Sequence, residues 1–253
     1  MQDLYIVKLG GSIVAPKNWN DQTIDEITLK RLCLELVTSI QKTHAHLLVV
    51  VGSGNFGHAA VKKFGIDTAE GVTKVQDIAR GTGQAVVREL QNLGISAALV
   101  SPHSIWPNGN DATISDLLQK NIIPVLYGDA VYNKDGKAVI YSGEICIREL
   151  IPSLIASKWD IQPVIQAGNE NGVLDKNKKV IKKISLRNWE ASKSAVTGSS
   201  MTDVTGGMLH KVEESLLLAS KYGLSTIIIN GSVPGRLAEV LVTRTNLGTQ
   251  ILP

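Results

Sequence analysis

The chain has 253 residues, 43% hydrophobic and 19% charged, and its 26 Lys and Arg against 23 Asp and Glu give a formal charge of +3. That length holds one large α/β domain or two closely packed lobes, and the apolar content excludes a disordered or collagen-like chain. The charge excess is too small to argue for a nucleic-acid partner, aromatic residues make up only 4%, and no apolar run approaches the length of a membrane span.

The opening Met-Gln-Asp has no basic leader, so no signal peptide is expected. Cys33 and Cys146 are too few for a disulfide framework and suit a reducing cytoplasm. In chain order, a first apolar strand is expected over 4–9. A helix over 24–42 follows, with Ile27, Leu32, Leu36 and Ile40 near helical spacing. Next come a strand over 46–51, a helix over 75–93 closed by Gly94, a strand over 96–100, a helix over 111–120 and a strand over 122–126. Residues 130–132 and 138–141 read as a β-hairpin with Asp135-Gly136 in its turn. A helix over 144–157, a strand over 161–166, a helix over 208–222 closed by Gly223 and a strand over 225–229 complete the pattern. These strands lack strict alternation, as buried parallel strands do, and strand–helix–strand repetition implies right-handed crossovers and a mostly parallel sheet. The basic stretch 175–187 reads as a solvated loop and edge strand, or as a rim that attracts a polyanion such as ATP.

Glycine-bearing segments follow several of these strands, where an open α/β sheet binds ligands. Lys8-Leu-Gly10-Gly11-Ser12 ends the first strand, and Lys17 lies shortly beyond. It is either a tight turn or a phosphate cradle. Gly52-Ser-Gly54-Asn-Phe-Gly57-His58 satisfies G-x-G-x-x-G after a strand. A dinucleotide site would need an acidic residue ending the next strand; Glu70 and Asp77 sit instead among polar residues. Ser142-Gly143-Glu144 opens a helix, with Ser142 placed to cap it. Thr202-Asp203-Val-Thr205-Gly206-Gly207 opens another, and Lys211 falls on its first turns. No Walker-type G-x-x-x-x-G-K-[ST] occurs, the five histidines are scattered, and no Ser or Cys nucleophile has an evident base. Lysines from distant loops, glycine cradles and an aspartate are the parts that phosphoryl transfer uses.

These motifs, in this order, resemble the amino acid kinase superfamily, with Gly128-Asp129 and Gly248-Thr249-x-Ile251 as further matches. Within it, Lys17, Phe56-Gly57-His58 and Ser142-Gly143-Glu144 are most similar to isopentenyl phosphate kinases, and less so to fosfomycin kinases, whose acceptor is a phosphonate. The resemblance implies a single three-layer αβα sandwich over 1–253. Its 1–160 part would carry the acceptor-binding and phosphate loops, and 161–253 would bind nucleotide. It implies a cytoplasmic homodimer that uses ATP and Mg²⁺ to phosphorylate isopentenyl phosphate, with no membrane or nucleic-acid partner. Lys8, His58, Asp203 and Lys211 would be catalytic. Lys8, Gly10, Gly11, Ser12, Thr205, Gly206, Gly207 and Lys211 would hold ATP; Lys17, Gly54, Gly57, His58 and Gly143 would hold the acceptor. The 75–93 helix is the candidate wall for an alkyl tail. Ser53, Asn55 and Ala59 depart from the usual Gly, Ser and Pro, and Glu144 stands where Asp is usual. Asn169 and Asn171 replace two aspartates of a Thr-Asp-Val-Asp-Gly-Val segment that borders the nucleotide in relatives. Those two asparagines also motivate an alternative, a nucleotide-binding regulator without turnover.

Overall fold

The computed structural model describes residues 2–16, 18–20, 22–109, 112–197 and 207–253. The first strand, β1 (Gln2–Leu9), sets the architecture by its two faces. Tyr5, Val7 and Leu9 pack into one apolar layer, while Leu4 and Ile6 pack into the layer on the opposite face. Lys8 is next in the second series, so it leaves the core on the same side as Leu4 and Ile6, at the carboxyl end of the strand.

The elements that follow are α1 (Gly11–Val14), α2 (Glu26–Thr43), β2 (His46–Val51), α3 (Gly54–Phe64), α4 (Ala69–Asn92), β3 (Ala97–Leu99), α5 (Pro102–Ile105) and α6 (Ala112–Gln119). Then come β4 (Ile123–Tyr127), β5 (Asp129–Tyr132), β6 (Ala138–Tyr141), α7 (Gly143–Ala156), β7 (Trp159–Ile161), β8 (Val164–Gly168) and β9 (Lys183–Ser185). The chain closes with α8 (Trp189–Thr197), α9 (Gly207–Tyr222), β10 (Thr226–Asn230), α10 (Arg236–Thr243) and β11 (Thr249–Leu252). Among the described residues, nine strands form one sheet in the order β3-β4-β2-β1-β8-β10-β11-β9, with β7 beside β1. All pairings are parallel except β10 with β11. Helices α2, α4 and α10 bury their apolar stripes on one face, and α6, α7 and part of α9 cover the other. This is the expected αβα sandwich, and β5 and β6 form the expected separate hairpin.

Local chemistry accounts for the boundaries. Asp25 caps α2 by accepting from Thr28 N, and Thr68 caps α4 by accepting from Gly71 N. The α4 helix thus begins six residues before the expected start. Gly94 and Gly223 adopt positive φ just past α4 and α9, as expected of helix C-terminal glycines. The expected strand over 161–166 is broken into β7 and β8 at Gln162-Pro163, because proline has no N–H for the ladder. Both halves still pair with β1. Strand β9 lies within the basic stretch 175–187, as its reading as a loop and edge strand expects, while β11 and the helices α3, α8 and α10, of eight to eleven residues each, are additions to the expected pattern. Strand β9 is one edge of the sheet, and Lys176, Lys178, Lys179, Lys182 and Lys183 are exposed on and beside it, which discourages edge-to-edge pairing.

Candidate active site

Five strands end in glycine at the same edge of the sheet, and four backbone bonds carry the ladder through them. Gly10 N donates to Ala167 O (2.7 Å), Gly52 N to Leu9 O (2.8 Å), Gly128 N to Val51 O (3.2 Å) and Gly231 N to Gly168 O (2.7 Å). The loops beyond therefore crowd together. A Cβ on Gly52 would lie 2.5 Å from Gly11 N, and a Cβ on Gly11 would collide with the backbone of Gly54. The two glycine motifs are mutually required: each backbone occupies the space that a side chain of the other would fill. Asn55 Nδ2 then donates to Pro16 O (3.0 Å) and Thr23 O (3.1 Å), the two flanks of the segment that carries Lys17. The departure at Asn55 thus ties the first two loops together.

Lys8 is 5% exposed. Its stem runs beneath the start of α7, where a Cβ on Gly143 would lie 2.7 Å from Lys8 Cε. Its ammonium reaches Glu144 Oε1 at 3.0 Å. Burial by itself raises the Glu144 pKa; the charges of Lys8 and Lys211, the Lys8 hydrogen bond and the residue's own backbone amide outweigh it. The carboxyl is therefore held below its ordinary value of 4.5. The two lysines, more than two hundred residues apart, act on one buried carboxylate.

Helices α7 and α9 are clasped to each other. Ser142 Oγ caps α7 by accepting from Ile145 N (3.2 Å) and lies 2.9 Å from His210 Nε2. One turn further on, Arg148 Nη1 donates to both Glu214 oxygens at 2.8 Å. Residues adjacent to Glu144 and Lys211 thus fix the helices that carry them.

Beside this cluster lies a cavity of about 370 Å³ lined by His58, Gly57, Val61, Val75, Ala79 and Ile140, with Ser53, Gly128 and Asp129 at its polar side. Val75 and Ala79 belong to α4, the helix singled out in the sequence as a candidate wall. Asp129 is 1% exposed, and its Oδ2 lies 2.6 Å from His103 Nδ1. That pair steadies the root of the β5–β6 hairpin at the cavity's rim.

Of the sequence candidates, Lys8, Gly10, Gly11 and Ser12 lie at the end of β1 and in α1. Gly54, Gly57 and His58 lie in the first turns of α3, Gly143 is the first residue of α7, and Gly207 and Lys211 lie in α9. Lys17, Asp203, Thr205 and Gly206 lie outside the described residues. Asn169 and Asn171 are exposed just past β8, where Asn171 Oδ1 accepts from Asn230 Nδ2 (3.1 Å) and Arg236 Nη1 (3.0 Å). Sequence reasoning placed Glu144 in a motif but gave it no role. Its signal was a carboxylate two residues after a helix-capping serine, on the strand–helix side that Lys8 faces.

The sequence model of the amino acid kinase family matches residues 3–230. The isopentenyl phosphate kinase of Methanocaldococcus jannaschii is 28% identical over 267 residues, covering 98% of each chain. That of Haloferax volcanii is 30% identical over 249 residues, covering 92% of this chain and 97% of its own. A solved isopentenyl phosphate kinase structure, 25% identical, superposes with a TM-score of 0.74 and covers 98% of this chain and 100% of its own. Motif order, sheet topology and full-length likeness agree: the chain belongs to the amino acid kinase family.

Proposed function

We propose that this protein is an ATP-dependent kinase of isopentenyl phosphate, forming isopentenyl diphosphate and ADP. The observation that carries the reading is the Lys8–Glu144 pair, within reach of the Lys211 charge and beside an apolar cavity with His58 in its wall. An oxygen of the acceptor phosphate attacks the γ-phosphorus of ATP in line. The bond from that phosphorus to the β,γ-bridging oxygen breaks, and ADP leaves. Lys8 and Lys211 offset the charge of the transferred group, and the Gly10–Ser12 segment brings backbone N–H groups to the β- and γ-phosphates. His58, with the backbone of Gly54 and Gly143 and with Lys17, holds the acceptor phosphate. A phosphate monoester is already an anionic nucleophile near neutral pH, so His58 works as a hydrogen-bond donor and not as a strong base. Val61, Val75, Ala79 and Ile140 suit an alkyl tail.

Among the described residues, no three His, Cys, Asp or Glu side chains group to hold a metal, and Glu144 is engaged by Lys8. The chemistry present suits phosphates, so Mg²⁺ belongs to this reading as an ion carried on the nucleotide, where it offsets phosphate charge. The cavity is lined entirely by residues before position 141, which supports assigning 1–160 to the acceptor, and the same reading gives 161–253 to the nucleotide. A cytoplasmic homodimer is part of the same reading. Cys33 and Cys146 are free, buried thiols, and no helix among the described residues is long and apolar enough to cross a membrane. Light scattering tests the dimer.

The test of the activity is incubation with ATP, Mg²⁺ and isopentenyl phosphate, with mass spectrometry of the products. Isopentenyl diphosphate is expected. Turnover no higher than that of a Lys8→Ala control would refute the reading, and fosfomycin in a parallel well separates the phosphonate alternative.

A further inference from the structure

Gln166 lies in the middle of β8 and is 3% exposed. Its register partner on β1 is Lys8. Residues paired in register share a face of the sheet, so Lys8 and Gln166 project to the same side, the side covered by α7 and α9. On β1, β2 and β8 the other side chains of that series are apolar, namely Leu4, Ile6, Leu48, Val50 and Val164, while Thr226 on β10, in register with Val164, is a second buried polar residue on this face.

The orientation of the Gln166 amide is set by Ser215 of α9. Ser215 Oγ donates its one hydrogen to Lys211 O at 2.7 Å, so toward Gln166 it accepts, from Nε2 at 3.1 Å. The amide oxygen therefore points away from Ser215. It is buried and has no hydrogen-bond partner among the described residues. Buried polar groups are almost always paired, so an unpaired carbonyl at this level of the sheet calls for a donor. Lys8 is in register with it and carries three N–H donors, and its ammonium pairs with Glu144 Oε1.

We propose that Gln166 is a positioning residue for phosphoryl transfer. Its Nε2 holds β8 against the turn of α9 that carries Lys211, and its Oε1 receives a Lys8 N–H when the Lys8–Glu144 pair opens onto the γ-phosphoryl group. The inference rests on the kinase reading above. A neutral acceptor suits this task better than a second carboxylate: it orients the ammonium while leaving its positive charge available to the transferred group. An apolar residue would pack more favourably in the resting protein but would leave the lysine unguided.

The test compares the full-length wild type with Gln166→Met, Gln166→Glu and Ser215→Ala, measuring Tm, the KM for ATP and kcat with isopentenyl phosphate. Gln166→Met removes the unpaired oxygen at similar volume. Its Tm is expected to equal or exceed the wild-type value, its KM for ATP to stay within about twofold, and its kcat to fall about tenfold to a hundredfold, the range for a lost hydrogen bond to a charged group. Gln166→Glu keeps an acceptor oxygen and should retain more kcat than the methionine variant. Ser215→Ala keeps Oε1 and should also lose less. Wild-type kcat in Gln166→Met overturns the proposal. So does an equal loss of kcat in all three variants alongside a lowered Tm, which would mark a purely structural tie. An inactive wild type would instead overturn the kinase reading, and this proposal with it.

Discussion

The Lys8 ammonium lies 3.0 Å from Glu144 Oε1, and both side chains are only 6% exposed. Neither charge is tolerable alone in that position. Replacing one partner of a buried pair leaves the other uncompensated, at a cost of about 3–5 kcal/mol. Glu144→Gln should therefore destabilise the protein by about that amount in urea unfolding. The double variant Lys8→Met/Glu144→Gln should recover part of the loss, because the stranded ammonium is gone. Additive losses in the double-mutant cycle would contradict a coupled pair.

The same pair sets an acid limb of stability. The Glu144 pKa is lower in the folded protein than its ordinary value of 4.5, so the folded state favours the carboxylate. The contribution is fully present above that ordinary value and is lost as pH falls through the depressed folded value. The stability gap between wild type and Glu144→Gln should therefore be widest near neutral pH and narrow progressively below pH 4.5. A gap that widens on acidification would contradict the sign of the shift.

His58 lines the cavity but is itself exposed, so its loss should leave the fold intact. His58→Ala should lower kcat/KM for isopentenyl phosphate by about 100-fold to 1000-fold, on the scale of one lost donor to a developing anion. ATP affinity, measured by titration calorimetry without acceptor, should be unchanged. His58→Asn, which keeps a donor, should recover part of the loss.

The cavity predicts a size filter. Ala79 is 1% exposed and contributes a small side chain to the wall beside Gly57, so Ala79→Leu would fill part of the roughly 370 Å³. Overpacking of this kind costs about 1–3 kcal/mol. The KM for isopentenyl phosphate should rise about tenfold or more on that scale, while the KM for ATP stays near the wild-type value. Equal changes in both constants would argue that the cavity does not hold the acceptor tail.

Away from the site, Glu35 of α2 caps α10. Its Oε1 accepts from Gly235 N at 3.0 Å and from Arg31 Nη1 at 2.6 Å, and its Oε2 accepts from Ala238 N at 3.2 Å. Arg31 Nη2 in turn donates to Gly231 O at 2.7 Å. Glu35→Ala should cost about 2–3 kcal/mol in urea unfolding, as expected for lost charge-assisted bonds at a helix start. At 25 °C kcat should change little, because the bonds lie on the face of the sheet opposite Lys8.

Much of this protein is legible in the sequence. The apolar runs that become β1, β2, β4 and β10 and the amphipathic helices α2, α7 and α9 announce themselves, because buried parallel strands and amphipathic helices leave strong local patterns. The glycine motifs mark the correct edge of the sheet, because close backbone approach admits no other residue at Gly11 and Gly54. The edge strand β9 lies inside the basic stretch 175–187 that reads as a solvated loop and edge strand, while β11 escapes, since four residues carry no readable period.

By itself, the sequence determined the parallel α/β order, the position of each glycine loop and the residues that could bear charge there. Tertiary structure decided which of those residues meet. That Glu144 is the carboxylate shared by Lys8 and Lys211 depends on α7 crossing above the end of β1. That Gln166 falls beside Lys8 depends on the register of β1 with β8, strands separated by more than 150 residues. Local propensity acts over a few residues and has no access to such pairings; they follow from burial of both sheet faces, which fixes strand order and register together. The small excess of positive charge noted at the outset has meaning only through that packing, which gathers two of its lysines around one buried acid.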